Sequence, residues 1–304
     1  MIRSVRLLAI LAFAIAANLL PAAAQTPAAD KQKMIQLGLQ NKTAWELYQA
    51  LKKQAGGGKP LTWQTMPDWS GLWTKTPSEG ANFDPDQPRG GLPPAKLKPE
   101  ARAVMMKRIE DAAKGIEYDP ISDCSPPGFP RWLAIPFLRE FIVRPEETWL
   151  TSETVNNVRR IYTDNRDHIP AEDRYPLPYG DSIGFWDGQK LVIHTNQIKG
   201  AIYTRSHPDY SDETETVEIW QQISPTVIEA KVWVYDPLNL LEPWYVRHTY
   251  TKVPNLDKQV RIRYWNCSEN QNNVVVQTKE GGSTFANFTF TDKDDKKSND
   301  GRSK

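Results

Sequence analysis

One short segment of this 304-residue chain concentrates side chains suited to acid–base chemistry. It spans residues 159–168 and ends with Asp164, Arg166 and His168. A carboxylate beside an imidazole fixes its tautomer and raises its basicity, and a guanidinium stabilises developing negative charge. The segment therefore suggests a catalytic site with His168 as acid or base, Asp164 orienting it and Arg166 assisting. Exposed strand-end turns collect the same residue types, so a surface turn with ion pairs is the alternative.

The other histidines show no pattern typical of a metal site. His194, His207 and His248 are scattered, and no two histidines stand at i, i+2 or i, i+4 spacing. The sequence also lacks a Gly-X-Ser-X-Gly elbow, a phosphate-binding glycine loop before a helix and a dinucleotide fingerprint. We therefore predict neither a metal nor a cofactor.

Charge and composition exclude further classes of protein. The chain carries 38 Lys and Arg against 37 Asp and Glu, so no basic excess is present to attract a nucleic acid. Its two cysteines exclude four-cysteine zinc sites and cysteine-held iron–sulfur clusters. A chain of this length can bury about 75% of its unfolded surface, which is enough for a full hydrophobic core.

The elements that position these residues are short β segments separated by turns. The dipeptide Asp187-Gly188 is one of several links that favour a tight antiparallel hairpin. The predicted fold is mainly β, an antiparallel meander closing into a barrel, with a sandwich as the alternative. Candidate strands cover residues 137–143, 148–153, 158–163, 182–186, 190–198, 216–223, 227–236, 245–253, 260–267, 274–278 and 285–291.

The faces of these strands suggest a binding surface. The segment 227–236 alternates aliphatic side chains with charged and aromatic ones, and 216–223 and 260–267 do the same. Either the polar, aromatic face lines a lumen that binds a flat organic ligand, or its aromatics pack beneath a helical arm and a proline-rich segment. In the first interpretation the contacts are Arg160, Tyr162, Trp186, Trp220, Trp233, Tyr235, Arg263 and Trp265, with Arg160 or Arg263 pairing any anionic group.

Two resemblances bear on this interpretation. The chain resembles a recurrent type of uncharacterised exported bacterial protein in the segments PDWSGLW (67–73), RRIYTDNR (159–166) and SIGFWDG (182–188). That resemblance implies a compartment and no chemistry. Residues 68–73 also resemble the Gly-X-Trp entry strand of lipocalin-like, or calycin, barrels. This second resemblance implies that Arg261, Arg263 and Trp265 supply the Arg–Trp packing that closes such barrels.

The first 24 residues resemble a secretory signal peptide. Arg3 and Arg6 precede an apolar run over 7–20, and three alanines at 22–24 offer a cleavage site before Gln25. No later segment approaches ~18 uninterrupted apolar residues, so we predict no membrane span. The predicted location is the periplasm or the exterior, where Cys124 and Cys267 would form one disulfide; two separate buried thiols are the alternative.

The rest of the chain divides by composition. Residues 25–60 are predicted to form a helical arm followed by a glycine linker, and 61–291 the barrel domain. A helix is expected near 98–114, where Pro99 and Gly115 mark its start and stop. Residues 292–304 are almost all charged or small and are predicted to be a disordered tail.

Three functional hypotheses follow. The first is an exported soluble barrel that binds a small, partly apolar or aromatic organic molecule. The second is a cofactor-independent lyase, isomerase or hydrolase that uses His168, Asp164 and Arg166. The third is an envelope interaction module that docks a partner through its helical arm. The sequence does not fix an oligomeric state.

Overall fold

A computed structural model describes residues 27–86, 95–204, 207–254, 260–265, 275–277, 279 and 283–285. The predicted signal peptide and the predicted tail lie outside these residues. Cys267 does too, so its disulfide with Cys124 stays a prediction.

The described residues form a mainly β protein built on one closed barrel. In chain order the strands are β1 (Leu72–Lys75), β2 (Ile116–Glu117), β3 (Arg139–Val143), β4 (Glu147–Ser152), β5 (Asn157–Tyr162), β6 (Asp181–Asp187), β7 (Lys190–Asn196), β8 (Ala201–Ile202), β9 (Asp209–Tyr210), β10 (Glu215–Ser224), β11 (Val227–Tyr235), β12 (Trp244–Lys252), β13 (Val275–Gln277) and β14 (Ser283–Phe285). Nine of them close the barrel in the order β1-β12-β11-β10-β7-β6-β5-β4-β3, with β3 pairing back to β1. The predicted barrel is confirmed and is consistent with a lipocalin-like architecture.

Two features of the barrel differ from the predicted meander. Strands β5 and β6 pair in parallel, whereas the other barrel pairs are antiparallel. The long link between β5 and β6 permits this pairing, because a tight hairpin would force an antiparallel one. The strand predicted over 260–267 is wrong for its described part, since residues 260–265 have no regular structure. Strands β13 and β14 form a separate small sheet with β2.

Two helices form the predicted helical arm, and they cover the outer wall of the barrel. They are α1 (Pro27–Leu39) and α2 (Ala44–Gln54). Thr43 caps α2 by accepting a hydrogen bond from the Glu46 amide. Leu47 and Tyr48 of α2 are buried against the sheet. The expected third helix is α3 (Pro99–Ala113), with Pro99 in its first turn.

The barrel interior is filled by side chains. A short 3-10 helix, Arg131–Ala134, inserts Trp132 and Leu133, both fully buried. The Trp132 and Trp220 ring centroids lie 6.4 Å apart, and the Arg139 guanidinium stacks on the Trp132 ring at 4.5 Å. We call residues 129–134 the plug, because Phe129 also enters the core and lies 3.7 Å below the Arg159 guanidinium.

Candidate functional site

The residues predicted to contact a ligand point in different directions. Trp186 and Trp220 face the packed interior. Trp233 and Tyr235 face outward, where the Trp233 Nε1 donates to the Met34 carbonyl at 2.7 Å and the Tyr235 hydroxyl donates to the Gly38 carbonyl at 3.1 Å. For β11 the aromatic residues therefore pack beneath the helical arm, which was the alternative interpretation, and they line no lumen.

The other predicted contacts lie outside the barrel. Arg160 pairs with Glu147 at 3.5 Å and stacks on Trp149 at 4.1 Å, while Tyr162 lies beneath Arg166. Trp265 meets Phe137 edge to face, and Arg263 is exposed. The eight predicted residues do not converge on one cavity.

The predicted catalytic trio is also divided. Arg166 donates to both carboxylate oxygens of Asp164 at 2.6–3.1 Å on an exposed turn. Hydrogen bonds from Arg166 and from Ser70 respectively lower the pKa of Asp164 and of Asp68, as in ordinary surface turns. Asp164 and Arg166 therefore form the surface ion pair of the alternative interpretation, and Asp164 does not orient His168.

His168 instead belongs to a hydrogen-bonded chain on the outer wall. Its Nδ1 lies 2.5 Å from Asp181 Oδ2, and its Nε2 lies 2.7 Å from His194 Nδ1. The His194 Nε2 lies 3.3 Å from Glu215 Oε2. We call these four residues the histidine chain. His194 lies on β7 and is almost fully buried.

Helix α2 covers the histidine chain. The Trp45 ring meets the His194 ring edge-on with centroids 5.1 Å apart, and Tyr48 lies beside His194 as well. Burial lowers the pKa of His194, although the hydrogen bond to Glu215 opposes this shift. Burial alone would raise the pKa of Asp181, but hydrogen bonds from His168 and the Ile169 amide outweigh it and lower that pKa.

All four ring nitrogens of His168 and His194 are engaged in this arrangement. A general base needs a lone pair that can reach a substrate proton, and neither ring offers one here. Among the described residues, no group of three or more His, Cys, Asp or Glu side chains is placed to hold a metal ion. In this structure the ring nitrogens of both histidines are therefore taken up by contacts within the histidine chain.

A pocket of about 430 Å³ is lined in part by Arg131 and Ala134 of the plug. Six of the ten residues that line it are apolar, and Arg131 and Asp119 are the two charged ones. Further lining residues are Ala81, Asn82, Ile121, Ile135, Pro136, Phe137 and Thr204. We call this cavity the plug pocket, because the plug carries Arg131 into its wall.

Arg131 brings a buried hydrogen-bond donor without a partner to the lining of this pocket. It is 6% exposed, and its Nη2 donates to Asp119 Oδ2 at 2.6 Å. Its Nη1 is buried and has no hydrogen-bond partner within the described part of the chain. A buried polar group left unpaired costs about 1–3 kcal/mol, and more when it is charged. The plug pocket therefore contains a cationic donor suited to an anionic acceptor.

Sequence reasoning missed both Arg131 and the partners of His168. The signal that points to Arg131 is an arginine inside the apolar run FPRWLAIPF at 129–137, which has no strand or helix alternation. Asp181 and His194 lie 13 and 26 residues beyond His168, and only the pairing of β6 with β7 brings them to it.

Comparison with known proteins adds no assignment. No protein-family model and no curated protein matches the chain. The resemblance to an exported bacterial protein type therefore stays a prediction. Of the helices that the structure describes, none is both long and apolar enough to cross a membrane.

Proposed function

We propose that this protein is an exported β-barrel that binds a small, partly apolar organic acid in the plug pocket. The observation that carries the proposal is the buried Arg131 Nη1 without a partner in a mostly apolar cavity. Arginine pairs with a carboxylate through short, charge-assisted hydrogen bonds. The carboxylate of a ligand would satisfy this donor.

The walls and volume of the pocket support the same ligand class. About 430 Å³ falls within the range of small-molecule sites, which usually combine apolar walls with a few polar groups. Ile135 and Phe137 offer apolar and aromatic contact, while Asn82 and Thr204 offer hydrogen bonds. An aromatic or short aliphatic carboxylic acid matches this combination.

The guanidinium is held ready for the ligand. The hydrogen bond from Arg131 Nη2 to Asp119 holds one side of the guanidinium in place. The next two residues, Trp132 and Leu133, are fully buried in the barrel core and hold the backbone there. A preorganised site loses less conformational entropy on binding.

The two other hypotheses have less support. The enzyme hypothesis needs His168 free, and both of its ring nitrogens are bonded in the closed histidine chain. The interaction-module hypothesis needs a helical arm with an open apolar face. Helix α2 instead places buried residues, and α1 partly buried ones, against their own barrel.

Calorimetric titration with benzoate tests the proposal, because benzoate joins a carboxylate to an apolar ring. Benzyl alcohol and benzylamine provide a neutral and a cationic probe of similar shape. The wild-type protein should bind benzoate and neither of the others. Arg131→Lys keeps the charge beside Asp119 but loses the planar fork, so we expect binding weaker by about tenfold or more.

The matched control is Arg160→Lys, which alters the exposed arginine originally expected to pair the ligand and should leave benzoate binding unchanged. A second variant, Ala81→Phe, fills the pocket from its exposed rim without touching the plug and should abolish binding. Circular dichroism checks that each variant is folded. Wild-type affinity in both Arg131→Lys and Ala81→Phe would contradict the proposal.

A further inference from the structure

The histidine chain contains more hydrogen bonds than two neutral imidazoles can supply with protons. Three contacts join its four members, and each needs one proton between its two heavy atoms. A neutral imidazole carries one N–H, so the two rings provide two protons. The third proton must come from solution, whichever atom holds it.

With the third proton present, His168 can donate through both of its ring nitrogens. Burial lowers the pKa of His194, which favours its neutral form. Asp181 has a lowered pKa and is ionised, so it faces His168 as a carboxylate. The consistent set of donors has His168 Nδ1 donating to Asp181, His168 Nε2 donating to His194 Nδ1, and His194 Nε2 donating to Glu215.

In the described part of the molecule, three elements bring further polar or aromatic side chains near the histidine chain. The segment between β5 and β6 contributes Arg174, whose charge also lowers the pKa of Asp181. Helix α2 contributes Trp45 and Tyr48, and burial raises the pKa of Tyr48, which keeps it neutral. Strand β10 contributes Glu215, and the exposed carboxylate of Glu213 lies two residues before it.

Removing the third proton breaks the weakest link of the chain. The contact between His194 and Glu215 is the longest, at 3.3 Å, and the Glu215 side chain is 36% exposed, against 2% for His194. If His194 moves its remaining proton to Nδ1, it can still donate to His168. Its Nε2 then presents a lone pair to the Glu215 carboxylate, which repels it.

We propose that the histidine chain is a proton-binding site that tethers Glu215 when occupied and releases it when empty. The released carboxylate enters a pocket of about 300 Å³ that it already lines, between the start of α2 and the chain after β11. Lys42 and Leu240 lie in the same wall. The proton thus controls the charge of a second cavity, independently of the plug pocket.

Nitrogen-15 NMR of the imidazole rings tests this proposal, because long-range proton–nitrogen correlations report which ring nitrogen carries hydrogen. The full chain has four histidines, so the signals can be assigned by variants. As the pH rises from 5 to 9, the wild-type protein should lose one proton from the pair. In the same step His194 should change from the Nε2–H to the Nδ1–H tautomer.

Two carboxylate variants make the test specific. In Glu215→Gln the amide donates to His194 Nε2, so the chain is complete with two protons, and His194 should show the Nδ1–H tautomer at every pH. Glu213→Gln removes the same charge from a neighbouring position that does not contact His194, and it should titrate as the wild type does. A wild-type His194 that keeps one tautomer from pH 5 to 9 would overturn the proposal. Equal behaviour of the two variants would overturn it as well.

Discussion

At the scale of single residues, two adjacent arginines show how strand alternation separates buried from exposed ion pairs. Arg159 faces the barrel interior, where its two terminal nitrogens donate to Glu218 at 3.0 and 2.5 Å. Arg160 faces solvent and pairs with Glu147 at 3.5 Å. Successive strand residues point to opposite faces, so one of these neighbours lies in the low-dielectric interior and the other in water.

Glu218→Gln should therefore be strongly destabilising. The substitution leaves the Arg159 charge buried without its partner, which costs about 3–5 kcal/mol in comparable sites. Urea unfolding measures the change in the free energy of unfolding. Glu147→Gln breaks the exposed pair and should change it by less than about 1 kcal/mol. Equal effects of the two substitutions would contradict this assignment of faces.

A second residue, His207, should make stability depend on pH. Burial lowers its pKa to about 4. Between about pH 6.5 and pH 4 the unfolded chain binds a proton at this histidine that the folded protein does not, so stability falls as the pH is lowered through this range.

His207→Gln should remove this contribution, because glutamine does not titrate. Urea unfolding from pH 7 to pH 4 should show that the wild type loses more stability than the variant, by at most about 3 kcal/mol. Burial also lowers the pKa of His194 and His248, so the variant should keep part of the slope. An identical pH dependence in both proteins would show that His207 is not shielded from solvent.

At the scale of elements, α1 packs on the barrel where Gly38 lies close to the Trp233 ring. A Cβ atom at Gly38 would lie 2.7 Å from Cδ1 of Trp233. Gly38→Ala should push the ring away and break its hydrogen bond to Met34. Overpacking of this kind costs about 1–3 kcal/mol, which the higher helix propensity of alanine offsets only in part.

Limited proteolysis within residues 27–55, followed by mass spectrometry, measures the loosening of α1. Cleavage should be faster in Gly38→Ala than in the wild type. Trp233→Phe shortens the ring, so the double variant should be less destabilised than the sum of the two single variants. Strict additivity would mean that the two residues do not touch.

The elements also show how far the sequence predicts the fold. Apolar spacing predicts the helical arm that contains α2, proline and glycine signals predict α3, and alternation predicts most barrel strands. Alternation does not predict which face of β10 is inside, because Glu218 and Trp220 point inward while Val217 packs against the helical arm. Where helices cover the outer wall both faces are buried, and apolar alternation no longer distinguishes them.

At the scale of the whole molecule, the candidate binding site lies in the plug pocket and not in the predicted barrel lumen, because the plug fills the barrel interior. Eleven candidate strands, several with aromatic residues, predict a barrel whose lumen is lined by aromatic side chains. A non-periodic segment instead fills the interior and carries Arg131 into a pocket beside it. Such a segment gives no 2.0 or 3.6 periodicity, so its position depends on tertiary packing alone. The same holds for the histidine chain, whose members come from four separate elements.

The proposed export makes a prediction for the whole chain. After secretion the protein should begin at Gln25, and its intact mass should rise by about two hydrogens on reduction if Cys124 and Cys267 are bonded. Mass spectrometry of the secreted protein, with and without reductant, checks both points. Retention of residues 1–24 would contradict export, and an unchanged mass would contradict the disulfide.

The central claim is that Arg131, beside a filled barrel, binds the carboxylate of a small organic acid. Its most direct test is a crystal structure of the protein with 4-bromobenzoate, located by the anomalous signal of bromine. We predict one bromine peak in the plug pocket, with the carboxylate about 3 Å from Arg131 Nη1. A ligand bound inside the barrel or beside Arg160, with the plug pocket empty, would contradict the account.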